Sequence, residues 1–72
     1  MEQYKTFITF TTGDGHEEAT PETEIVSTIR RLLQGPAAKM GMIKEVKIVD
    51  MMDCIVFLAR DNKIVFPKQR EV

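Results

Sequence analysis

The sequence predicts an α+β domain in which a single helix packs on one face of a mostly antiparallel four-stranded sheet, in the order β-α-β-β-β. Three observations carry this expectation. One segment repeats apolar residues at helical spacing between a proline and a glycine. Segments before and after it have strand composition. Two turns, assigned separately, place the apolar residues of the last three strands on one common face.

The first strand is expected from Gln3 to Thr11, where Tyr, Phe, Ile and Thr favour a pleated, half-buried chain. Alternation puts Tyr4, Ile8 and Phe10 on one side and Lys5, Phe7 and Thr9 on the other. Gly13-Asp14-Gly15 then breaks the pattern. The acidic stretch with Asp14, Glu17, Glu18, Glu22 and Glu24 reads as a solvated loop leading to a helix N-terminus, where carboxylates suit the helix dipole.

A helix is expected over 21–34. Thr20 is placed to cap it, and Pro21 suits a first helical position because its missing N–H has no helical partner there. Ile25, Ile29, Leu32 and Leu33 recur at helical spacing with Val26 beside them, while Glu24, Ser27, Arg30, Arg31 and Gln34 take the wetter side. Gly35 is expected to end the helix in a left-handed conformation, and Pro36 to prevent its continuation. Ala37 to Gly41 reads as a connector.

Three strands follow, at 43–49, 54–60 and 63–67. Asp61-Asn62 reads as a two-residue hairpin turn, since both residues tolerate positive φ. It would set Ala59 opposite Ile64 and Phe57 opposite Phe66. A four-residue turn at Asp50–Asp53 would set Val49 opposite Cys54 and Ile48 opposite Ile55. One face then collects Val46, Ile48, Ile55, Phe57, Ile64 and Phe66, the seat for the helix stripe. The other collects Glu45, Lys47, Cys54, Val56, Leu58, Arg60, Lys63 and Val65.

With 72 residues, the chain is read as one domain spanning 1–72, a size that buries only about 60% of its unfolded surface. Cys54 is the only cysteine and His16 the only histidine, so neither an internal disulfide nor a zinc cluster can reinforce it, and oligomerisation is the route left. The net charge of −1 carries neither the basic signature of a dedicated DNA-binding domain nor the strongly acidic one of a DNA mimic. The residues Met1 to Lys5 lack the basic start and apolar stretch of a signal peptide, no apolar run reaches the length of a membrane span, and the thiol is unpaired. A cytoplasmic protein is expected.

Catalytic chemistry has no foothold in these residues. Asp14-Gly15-His16-Glu17-Glu18 gathers oxygen donors around one imidazole, but not at the spacing of a metal motif. Thr12-Gly13-Asp14-Gly15 lacks the Gly-Lys-Ser/Thr of a phosphate loop, and its carboxylates repel phosphate. Cys54 has no histidine near it in sequence, and Ser27, the only serine, falls within the helix. Met40, Met42, Met51 and Met52 read as gap-fillers around loops. Arg30 and Arg31 read as partners for Glu24 or for carboxylates upstream.

The outer sheet face is the informative one. A water-facing side of an antiparallel sheet should be polar, yet Phe7, Val56, Leu58 and Val65 interrupt it, with Lys47 and Arg60 at the rim. The expectation is a non-catalytic protein-interaction module, an adaptor, regulator or inhibitor of a larger protein. This face would dock on another protein or on a second copy of the chain. The alternative is single-stranded nucleic-acid binding on the same face through Lys5, Phe7, Lys47, Arg60 and Lys63. No catalytic residue, metal, cofactor or membrane partner is expected.

Overall fold

The computed structural model describes residues 3–67. Strands β1 (Gln3–Phe10) and β2 (Gly15–Pro21) form a hairpin, followed by a 3₁₀ turn at Glu22–Glu24 and helix α1 (Ile25–Gln34). A short helix α2 (Pro36–Lys39) leads to the meander β3 (Ile43–Val49), β4 (Ile55–Arg60) and β5 (Lys63–Phe66). All neighbours in the five-stranded sheet are antiparallel, in the order β2-β1-β3-β4-β5. The molecule is a thin slab of 35 × 33 × 19 Å.

The α+β class and the single long helix agree with expectation, but the sheet has a fifth strand where a loop was expected. Acidic residues have low strand propensity, which hid β2. As an edge strand, β2 keeps both glutamates accessible to water while Thr20 alone is buried. The tight reversal that forms it is visible in the bonds Phe10 N–H to Asp14 O at 2.8 Å and Gly13 N–H to Phe10 O at 2.9 Å, with Gly13 at φ +97°. The added strand reverses the chain once more, so β1 and β3 are neighbours but antiparallel, and the described residues contain no parallel crossover.

The same strand displaces the helix start. Thr20 is not a cap and Pro21 is not the first helical residue; both belong to β2, and α1 begins at Ile25. Glu24 takes the cap position without a side-chain bond, while the Ser27 hydroxyl donates to the Glu24 carbonyl at 3.0 Å. At the other end Gly35 is extended (φ −80°, ψ 179°) rather than left-handed, and Pro36 opens α2 instead of ending helical structure. Glycine is required at 35 by close approach: a Cβ there would overlap the Arg31 carbonyl oxygen.

The core lies between α1 and one face of the sheet. Ile8, Val46, Ile48, Phe57 and Ala59 from the strands meet Leu32 from the helix, with Tyr4, Phe10, Ile25, Ile29, Leu33, Ile43 and Val56 packed around them. Burying such side chains contributes roughly 1.5–3 kcal/mol each before entropy is counted. Thr6 and Thr20 share this buried layer and bond to one another, hydroxyl to hydroxyl, at 2.7 Å.

Two bulges correct the expected register. Ile48 faces Phe57 and Val46 faces Ala59, a shift of two residues that keeps these side chains on the core face, because side chains alternate with period two. Val49 then faces Ile55, leaving Val56 as the extra residue of a bulge. Beyond Ala59–Ile64, which pair as expected, a second bulge sets Phe66 opposite Leu58 rather than Phe57. Consequently Ile55 and Phe66, both expected in the core, are exposed; Ile64 keeps its expected partner but is also exposed, at the sheet edge beside the helix-side groove.

Candidate functional site

The pairing register lays out the sheet face opposite α1. With Thr6, Ile8, Val46, Ile48, Phe57 and Ala59 buried toward the helix, their alternates point away from it. Across the five strands one row runs Glu17, Phe7, Lys47, Leu58, Phe66. A parallel row toward the β4–β5 turn runs Gly15, Thr9, Glu45, Arg60, Lys63. On the far side stand Ala19, Lys5, Val49 and Ile55.

Most of the expected surface is thereby brought together. Phe7, Lys47 and Leu58 are half-buried neighbours at the centre, and Arg60, Lys5 and Lys63 are exposed around them. Val65 is 45% exposed at the second bulge, beside Phe66 at 47%. Val56 departs from expectation. The bulge at β4 exchanges the roles of two adjacent residues: Val56 packs against the core cluster, and Ile55, 44% exposed, pairs with Val49. Phe66 and Ile55 were therefore missed as members of this face. A bulge leaves no mark in apolar alternation, and the only sequence sign was the unbroken apolar run Ile55-Val56-Phe57-Leu58.

The polar groups on the face are tied to it. The Lys47 ammonium lies 5.3 Å from the centroid of the Phe7 ring, a cation–π contact that lets a lysine cover an aromatic without leaving water. Arg60 Nε donates to Glu45 Oε2 at 3.2 Å. Both partners are partly solvated, so this pair orients side chains more than it stabilises the fold.

The other candidate residues fall elsewhere. Glu18 receives Arg31 at 2.6 Å and lies 3.4 Å from His16 Nε2, which ties α1 to the edge strand. Among the described residues no three His, Cys, Asp or Glu side chains form a metal-holding group. Cys54 is exposed in the β3–β4 loop rather than in a strand; Asp50 Oδ1 organises that loop by accepting from the backbone N–H of Met52 and Cys54 at 2.8 and 3.0 Å. Met40, Met42, Met51 and Met52 are exposed and do not fill gaps.

On the helix side, a groove of about 430 Å³ opens between α1 and the β4–β5 edge, lined by Tyr4, Ile25, Ile29, Val56, Phe57, Ile64 and Pro67. It exists because α1 does not extend over β5, and nothing in the helix periodicity foretold it. No helix among the described residues is long and apolar enough to cross a membrane. Comparison with known proteins finds no matching family model, no matching curated protein and no matching solved structure.

Proposed function

We propose that the domain is a non-catalytic protein-interaction module, an adaptor, regulator or inhibitor of a larger protein, that docks through the sheet face opposite α1. The observation that supports this most is the registered row Phe7, Lys47, Leu58, Phe66, an apolar strip interrupted by a single cation, on a sheet face that no helix among the described residues covers. Apolar patches of this kind, rimmed by charge, are characteristic of docking surfaces. Phe7, Leu58, Val65 and Phe66 supply the apolar contact; Lys47 and Arg60 supply orientation. Val56 drops out of the set because it packs on the opposite side.

Charge favours a partner that is different from this chain. A two-fold axis through the middle of the row would bring Lys47 against its own copy, whereas a partner presenting an apolar centre with carboxylates would meet Lys5, Lys47 and Lys63 favourably. Single-stranded nucleic acid is the weaker alternative. Of its five residues, Phe7 is already covered by Lys47, and Arg60 is engaged with Glu45.

Affinity capture from nuclease-treated extract, with wild type beside a folded Leu58→Glu variant, tests the proposal. One protein retained by wild type and lost from the variant supports it. Retention of the same protein by both would refute this face as the docking surface. Salt-sensitive retention of nucleic acid, lost in Lys5→Glu or Lys63→Glu, would favour the alternative.

A further inference from the structure

We propose that β5 is a self-pairing edge that joins two copies of this chain across a two-fold axis into one continuous antiparallel sheet. Among the described residues the sheet has two edges with no further strand beside them, β2 and β5, and their charges set them apart. Pairing β2 with its own copy would align Glu17 and Glu18 with the same glutamates, an arrangement that destabilises cross-strand contact. Pairing β5 with its own copy does not oppose like charges. About a two-fold axis through the middle of Lys63-Ile64-Val65-Phe66, Lys63 falls opposite Val65 or Phe66 of the other copy. A lysine across from a phenylalanine is a pair this sheet already contains, in Lys47 and Phe7.

The backbone is positioned for it. Asp61 and Asn62, at φ 51° and 65°, make a two-residue turn that fixes Arg60 opposite Lys63. In such a hairpin the pair flanking the turn exchanges hydrogen bonds, so the next residue, Ile64, directs its N–H and C=O away from β4 toward the open edge. The side chains there are also uncovered, with Ile64, Val65 and Phe66 exposed by 38, 45 and 47%. Pairing would bring a second Ile64 beside the groove that α1 leaves open, and would extend the outer apolar row past Phe66. A four-residue strand makes a small interface, so the association is a weak, reversible one.

The β5 edge shares Val65 and Phe66 with the proposed docking face, but it pairs through its backbone and is read by sedimentation and Ile64 exchange rather than by capture through Leu58, so either proposal can fail alone. The test is sedimentation velocity of the full chain from about 10 μM to about 1 mM, with amide exchange at Ile64 followed over the same range. A monomer–dimer equilibrium with exchange at Ile64 slowing as dimer accumulates is the expected result. Val65→Lys should weaken the dimer roughly tenfold or more, while Glu17→Lys on β2 leaves it unchanged. A monomer throughout the range would overturn the proposal, as would a dimer whose formation leaves Ile64 exchange unchanged. So would open-ended polymers dissolved by Glu17→Lys, which would mean β2 of one copy pairing with β5 of the next.

Discussion

The hydroxyls of Thr6 and Thr20 lie 2.7 Å apart across the β1–β2 pair, each residue almost wholly excluded from water. They are the polar link between the edge strand and the core. Because each satisfies the other, the pair is tolerated in an apolar layer, and removing one partner exposes the other to the full cost of burial without a bond. We expect Thr6→Val and Thr20→Val each to destabilise the domain by about 1–3 kcal/mol. The double variant should lose clearly less than the sum. Urea unfolding of the four proteins as a double-mutant cycle measures this; additive losses would show that the two hydroxyls do not depend on each other.

The bulge at β4 makes a sharp prediction for two adjacent residues. Val56 packs toward the helix and Ile55 is exposed on the opposite side, the reverse of what simple alternation from Phe57 gives. Val56→Ser should therefore cost about 1 kcal/mol more than Ile55→Ser, although isoleucine is the larger side chain. Equal costs, or a larger one at Ile55, in thermal or urea unfolding would place the bulge elsewhere.

These two cases also mark how far the sequence was legible. Strong local signals were read correctly: the stripe Ile25, Ile29, Leu32, Leu33, the β3 limits, and the turn at Asp61-Asn62. Val46, Ile48 and Phe57 kept their place in the core through a two-residue error in register, because a shift of two leaves facing unchanged, whereas Ile55, Ile64 and Phe66 did not. What failed depends on partners distant in sequence. Thr20 looked like a helix cap until Thr6 is known to lie beside it, fourteen residues away. The strand β2 is specified by its neighbour β1 more than by its own glutamates. On the outer sheet face, Phe7, Lys47, Leu58, Arg60 and Val65 came from alternation, whereas Ile55 and Phe66 enter only through the bulges.

Gly35 joins α1 to α2 with no room for a side chain, since a Cβ would meet the carbonyl of Arg31 within the preceding turn. Its extended backbone is open to any residue, so the requirement is one of space. Gly35→Ala should cost about 1–3 kcal/mol, the usual consequence of overpacking. Circular dichroism during thermal unfolding would register it as a lowered Tm. An unchanged Tm would mean that the α1–α2 junction relaxes freely.

Asn62 adopts positive φ in the β4–β5 turn, a conformation that asparagine tolerates and β-branched residues do not. We expect Asn62→Val to cost about 1–2 kcal/mol and Asn62→Gly to be neutral or slightly stabilising. Loss of dimer in Asn62→Val without loss in Asn62→Gly would further tie the edge geometry of β5 to this turn. Unfolding curves for the two variants, with sedimentation at matched concentration, separate stability from association.

Leu58 and Phe57 are neighbours in sequence but point to opposite faces, and the proposed function depends on that difference. Phe57 is 5% exposed at the centre of the core, so Phe57→Ala should cost about 3–5 kcal/mol. That is comparable to much of the stability of a domain this small. Leu58 is half-buried in the outer row, flanked by Lys47 and Phe66. Leu58→Glu should therefore leave the far-ultraviolet dichroism intact, with a stability loss near 1 kcal/mol, since its carboxylate can reach water and the Lys47 ammonium. If Leu58→Glu unfolds the domain while Phe57→Ala does not, the two faces are reversed and the docking surface must be sought on the groove side.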